Sequence, residues 1–245
     1  VNNVTLADVE DFYREYFVPA NAYLIVIGDV NFDEVKTLTE TYFTSWTKAV
    51  PPSFSYSQPK NVPNTQINFI DMPNAVQSEI TVQNIVNLKM KDDDYIAALL
   101  ANEILGGGSD SRLYSNLRED KGYTYGAYSS IGNDKYGPSR FRASAEVRNM
   151  VTDSSVVEML KELELITSKP VTDEELKNTK ALYAGSFIMA LEDPETIARY
   201  ALNVEKENLP KDFYKTFLEK LEKISKEEVE AAAKKYFNVD NARVI

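Results

Sequence analysis

The chain contains no cysteine and no histidine in 245 residues. Without cysteine there are no disulfides, and the compartment stays open, because a cysteine-free chain suits cytoplasm and periplasm alike. Without histidine the usual Ser-His-Asp triad is excluded, and neither imidazole nor thiolate is available to ligate zinc. A zinc centre built from carboxylates alone would be unusual for that metal. Long apolar runs are missing too: nothing approaches the roughly 18 residues that a membrane-spanning helix needs. Basic residues are the minority, 27 Lys and Arg against 38 Asp and Glu, for a net charge of −11. No basic cluster offers a face for phosphate neutralisation, which argues against nucleic-acid binding. The acidic balance serves solubility, and would favour basic peptides if it lined a chamber. No dinucleotide fingerprint or phosphate loop is present.

What remains is an ordinary globular composition, 43% apolar and 27% charged. Helical spacing predicts helices over 5–17 and 32–46, with a buried strand over 22–28 between them. The run Pro51-Pro52-Ser53-Phe54-Ser55-Tyr56-Ser57-Gln58-Pro59 is an extended connector, and it divides the chain into 1–50, a linker at 51–64, and a domain over 65–245. Strands are expected at 66–72, 79–87, 123–131 and 139–148, the last two joined by a loop at 133–138. A helix over 92–105 opens on Asp92-Asp93-Asp94 and ends at Gly106-Gly107-Gly108. Helices follow over 153–167, 173–191, 194–207, 211–223 and 226–237, with Thr172 and Glu175 forming a capping box. Strands first and helices later give an α+β fold with a mainly antiparallel sheet packed against a set of helices. Met150, Met159 and Met189 are expected as core fillers, and Glu158 and Glu162 as charges on one helix face.

The chain also repeats itself. With Thr5 placed on Ser225, the two segments run without a gap to the end: Val9 meets Val229, Glu10 meets Glu230, Tyr16-Phe17 meets Tyr236-Phe237, and Asn21-Ala22 meets Asn241-Ala242. The first copy continues into Leu24-Ile25-Val26-Ile27-Gly28, whereas the second stops at Ile245. The sequence therefore reads as the tail of one half, 1–50, followed by most of a similar half, its last strand cut short.

The most informative stretch is Gly106-Gly107-Gly108-Ser109-Asp110-Ser111-Arg112-Leu113-Tyr114-Ser115-Asn116-Leu117-Arg118, continuing to Gly122-Tyr123-Thr124-Tyr125. Leu113, Tyr114 and Leu117 share a helical face and leave Arg118 near the helix end. Lys121-Gly122 breaks that helix before a strand. A guanidinium and a phenol meeting at such a junction can grip a peptide carbonyl or a developing oxyanion.

This stretch resembles the non-catalytic half of the pitrilysin/insulinase-type zinc peptidases, the inverted zincins, with Arg118 and Tyr125 on that family's arginine and tyrosine. Thr5 to Asp29 resembles the segment that closes the family's first half. The resemblance implies one half of a two-half clamshell peptidase. Zinc would sit only in the homologous partner half, upstream in the same chain or on a separate subunit, and would activate water there with a glutamate as general base. This chain would bind peptide substrate through Arg118 and Tyr125, bind no metal and carry no catalytic residue of its own. The helix at 95–105 occupies the place of the family's H-x-x-E-H helix, which puts Leu99, Asn102 and Glu103 roughly where ligands and base would be, as a vestigial site. The resemblance leaves two alternatives. One is a structural or assembly module of the same fold, as in the core proteins of the respiratory cytochrome bc complex. The other is the zinc-free subunit of a two-chain peptidase.

Overall fold

The two copies of the repeat open their helices with the same side-chain cap. Thr5 accepts from the Asp8 N–H while the Asp8 carboxylate accepts from the Thr5 N–H, opening α1 (Leu6–Tyr16). Ser225 and Glu228 do the same for α9 (Lys226–Tyr236), so two of the orphan amides at each helix start are satisfied. The computed structural model of the protein describes residues 3–245. It divides into two units, Val1–Ser57 with Met189–Lys206, and Gln58–Ile188 with Glu207–Ile245.

The first unit holds α1, α2 (Phe32–Phe43), capped by the Asn31 side chain, and α7 (Pro194–Lys206). Stacked rings along α1, Phe12 on Tyr16 and Tyr13 on Phe17, are its aromatic spine, and the Trp46 indole donates to the Phe17 carbonyl at 3.0 Å. The strand expected at 22–28 does not form. Tyr23, Leu24, Ile25, Val26 and Ile27 are all exposed, and among the described residues no strand pairs with them. An extended segment becomes a strand only when a neighbour takes up its backbone bonds.

The second unit contains the sheet, ordered β1-β5-β2-β4-β3: β1 (Gln66–Ile67), β2 (Gln77–Val86), β3 (Thr124–Ile131), β4 (Ser139–Arg148) and β5 (Arg243–Val244). All pairings are antiparallel except β1 with β5. This is the α+β fold with a mainly antiparallel sheet that the sequence predicts. β1 is much shorter than the 66–72 expected, because β5 offers it only two residues of register. The period-2 pattern of β4 buries Phe141, Ala143, Ala145 and Val147 and leaves Arg142, Glu146 and Arg148 in solvent. On the buried face pack α3 (Tyr95–Asn102), α5 (Thr152–Ser168) and α9, with Phe141 and Phe237 rings 4.4 Å apart at the centre. The capping box at Thr172 and Glu175 precedes α6 (Asp173–Ala190), and α8 (Phe217–Lys223) starts later than the expected 211. Of the three methionines expected in the core only Met159 is buried; Met150 and Met189 are exposed, since each lies at an element end where helical periodicity no longer assigns a face.

Candidate functional site

Two backbone irregularities bring Arg118 and Tyr125 together. After the single turn α4 (Arg112–Tyr114), the chain widens into a π-type segment, Ser115–Asp120, in which the Lys121 N–H reaches back five residues to the Asn116 carbonyl at 3.0 Å. Leu113 and Leu117 are fully buried and anchor this segment from within, which leaves the next residue, Arg118, on the outer side with its side chain 38% exposed. Widened turns of this kind recur at functional sites. Gly122 then turns the chain with φ +62°, a conformation that L side chains rarely adopt, and the Tyr123 N–H closes on the Leu117 carbonyl at 2.9 Å.

The second irregularity is in β3. Its register against β4 slips between Thr124 and Ala127, so one extra residue is accommodated at Tyr125–Gly126. The Thr124 hydroxyl pins this bulge: it donates to the Glu146 carbonyl at 2.6 Å and accepts from the Gly126 N–H at 3.1 Å. Bulges re-aim a side chain out of the regular alternation, and Tyr125 is 82% exposed. The Arg118 guanidinium carbon lies 5.1 Å from the Tyr125 ring centroid, within the range of a cation–π contact. The two groups predicted from the motif thus converge, with the guanidinium over the ring face. Arg118 Nε also lies 3.7 Å from Glu119 Oε1. Of the neighbouring tyrosines, Tyr128 packs against Tyr114 instead, ring centroids 6.0 Å apart.

The helix that the resemblance equates with a zinc helix has other duties. Leu99 packs against the core. Asn102 donates to the Ser129 carbonyl at 3.3 Å and accepts from the Ser129 hydroxyl at 2.9 Å, covering the outer edge of β3, where bare backbone would otherwise invite another strand. Glu103 opens a second widened segment, Glu103–Gly107, that follows α3 but is kinked at Gly106, whose φ of −161° and ψ of 25° are not helical, so the helical path ends in the glycine triplet as its composition predicts. Its carboxyl faces a cleft of about 390 Å³ shared with Asp110, Ser111, Glu174, Asn178 and Ser186, and burial raises its pKa above the usual carboxylate value. One apolar side chain, one amide committed to β3 and one carboxylate do not make a zinc donor set. Among the described residues no group of three or more His, Cys, Asp or Glu is placed to hold a metal ion. The same holds for membranes: no helix among them is long and apolar enough to cross one.

Two features escaped the sequence reading. Arg112 forms a bidentate pair with Glu175, at 2.8 and 3.1 Å, which ties the motif to the start of α6. Burial raises the Glu175 pKa, but the bonds from Arg112 and the Thr172 N–H outweigh it, and the net shift is downward. Glu162 is buried, not a solvated face charge, and both it and Glu158 accept from Asn116. The i, i+4 spacing of the two glutamates signals a shared face, but not that the face is covered.

The sheet thus carries helices on its buried face and presents the Arg118–Tyr125 pair at the β3 edge. Residues 3–183 match the Peptidase M16 inactive domain, and the chain belongs to that family. It is 26% identical to the zinc protease PqqE of Helicobacter pylori, with 81% of this chain and 45% of that protein covered. It is 22% identical to YmfF of Bacillus subtilis, named a probable inactive metalloprotease, with 96% and 54% covered. A peptidase M16 inactive domain from Pseudomonas fluorescens superposes with a TM-score of 0.87 at 24% identity, covering 99% of this chain and 57% of that one. The chain spans about half the length of the curated relatives it matches.

Proposed function

We propose that this chain is the zinc-free, substrate-binding half of a zinc metalloendopeptidase that hydrolyses peptides or small proteins in a chamber enclosed by two halves. The observation that carries this reading is the exposed Arg118–Tyr125 pair, set by a widened turn on one side and a pinned bulge on the other. A core-packing or merely solubilising pair would need neither. Arg118 supplies up to five N–H donors and Tyr125 one O–H donor. Together they would hold the substrate backbone, or the oxyanion as it develops, against the reacting centre of the other half. That half would supply zinc and the water it activates; no residue of this chain takes part in ligation.

The repeat supports a partner half of the same fold. Val229 and Phe237 are 0% and 2% exposed on α9, whereas their counterparts Val9 and Phe17 on α1 are both 54% exposed. A helix with the same cap and the same apolar register, buried in one copy and bare in the other, is built to be covered. In the second copy β5 lies between β1 and β2, so residues 23–27 would take the equivalent central place in the partner's sheet. Residues 1–50 then belong to the partner half, 51–64 link the halves, and 65–245 form the substrate-binding half.

The test is Tyr125→Phe and Arg118→Ala, measured with the chain joined to its H-x-x-E-H-bearing half. Tyr125→Phe keeps the ring under the guanidinium and removes only the hydroxyl. Loss of one preorganised donor costs about 2.7–4 kcal/mol, or roughly 10²–10³ in kcat, and zinc content should not change. Unchanged hydrolysis by both variants refutes the proposed role.

A further inference from the structure

The segment that carries Arg118 is held from behind by an amide placed between two carboxylates. Asn116 Nδ2 donates to Glu158 Oε2 at 3.0 Å and to Glu162 Oε1 at 2.6 Å, both on α5. The Asn116 bond is also the main reason that the Glu158 carboxyl sits below the usual carboxylate range. Lys161 and Lys121 flank Glu158 at 3.3 and 3.9 Å, while Glu162 is buried. Serving both acceptors leaves the other end of the amide, Asn116 Oδ1, buried without a partner. A buried acceptor left unmet is costly, and packing alone does not require it, because Leu113 and Leu117 already seat the segment. The main chain of the same residue closes the widened turn, its carbonyl accepting the Lys121 N–H. Asn116 therefore fixes the turn twice, to α5 through its side chain and across Arg118 through its backbone.

We propose that Asn116 is the positioning residue of the Arg118–Tyr125 pair: its amide, bridging Glu158 and Glu162, sets the widened turn that lays the guanidinium over the Tyr125 ring. The consequence for peptide hydrolysis rests on the proposed function, whereas the geometry can be tested without it.

The experiment is NMR of the full chain, reading the Arg118 side-chain resonances, which the ring current of Tyr125 displaces. Tyr125→Leu gives the unstacked reference. Asn116→Ser removes both carboxylate bonds without adding charge, and the Arg118 signals should move more than half-way to that reference. Asn116→Asp keeps the shape but sets a third carboxylate against two, and should do the same. Adding Glu162→Gln supplies an amide donor to the introduced carboxylate and should bring the signals back toward wild type. Arg118 signals unchanged in Asn116→Ser overturn the proposal. So does an Asn116→Asp/Glu162→Gln chain that regains its melting temperature but not the wild-type Arg118 signals, because that separates stability from positioning. If Asn116→Asp does not fold, Asn116→Ser decides alone. Arg118 signals that move in Asn116→Ser while hydrolysis by the joined enzyme stays at wild-type rate would uphold the positioning and refute the role given to the pair.

Discussion

Replacing Gly106 with alanine tests how the widened segment after α3 is held against β3. The backbone there has φ −161°, not the positive φ that disfavours a side chain. With open space around it, the substitution would stabilise the fold by about 0.4–1 kcal/mol, because it restricts the unfolded chain. The space is not open. A β-carbon on Gly106 falls 2.6 Å from the Ser129 hydroxyl and 2.9 Å from the Ser129 β-carbon, and also runs into the Ser129 backbone nitrogen. Backbone in a sheet cannot swing aside as a side-chain tip can, so the segment must back away. Overpacking of this kind costs about 1–3 kcal/mol. Retreat also strains the bonds between Asn102 and Ser129, each contributing about 0.5–1.5 kcal/mol. The expected loss is about 2–4 kcal/mol, read as a lower urea midpoint at unchanged slope. In melting temperature it is a fall of roughly 5–15 °C, at about 2–4 °C per kcal/mol for a chain of this size. Gly185→Ala is the internal control: it lies within α6 and nothing stands within 4 Å of its added carbon, so it should stabilise by up to about 1 kcal/mol. A neutral or stabilising Gly106→Ala would refute the close approach.

Glu103→Gln removes a carboxylate whose pKa burial has raised. A raised folded-state pKa means the fold favours the protonated form: that advantage is complete below the unfolded pKa, about 4.3, and is lost as pH rises through the folded value. Glu103→Gln should therefore raise the melting temperature at pH 7 and make little difference below pH 4, and a pH-independent effect would contradict the cause given. Glu175→Ala leaves Arg112, whose side chain is only 14% exposed, without its carboxylate and removes one of the two bonds of the α6 capping box; a loss of about 2–4 kcal/mol by urea denaturation is expected, and a change under about 0.5 kcal/mol, the usual scatter of a surface substitution, would contradict it. Arg118→Ala, by contrast, gives up only an exposed cation–π contact worth about 0.5–1 kcal/mol, so it should fold nearly as well as wild type while hydrolysis by the joined enzyme falls.

Most of the second unit was legible in the sequence because local and tertiary preferences agree there. Alternation over 139–148 gives β4 residue for residue, and the Thr172–Glu175 capping box stands where its spacing puts it. Where they diverge, the reading failed. Tyr23-Leu24-Ile25-Val26-Ile27 has the composition of a buried strand, and the repeat of its first two residues, Arg243–Val244, is one. Yet strand character needs flanking strands, and β1 and β2 serve the second copy only. Glu158 and Glu162 have surface spacing on a helix, but α5 turns that face toward Asn116. Composition cannot show which face a neighbour will cover.

The Arg118–Tyr125 pair is singled out in the sequence for a reason different from the one that brings its two side chains together. The motif supplies an arginine and a tyrosine seven positions apart, but regular geometry would not pair them: an unbroken helical turn and an unbroken strand alternation would assign each a face independently of the other. Convergence depends on one extra residue on each side, a π-type widening before Gly122 and a bulge after Thr124. Each is held by a polar side chain, Asn116 in the first and Thr124 in the second. Periodicity is blind to single-residue insertions, because a pattern of 3.6 or 2 resumes on either side of them. The informative residues are therefore the ones that pin the irregularities, Asn116, Gly122 and Thr124, rather than the apolar positions that define the elements. An exposed pair set by two such irregularities resists averaging by rotamer freedom, as a preorganised hydrogen-bonding site requires.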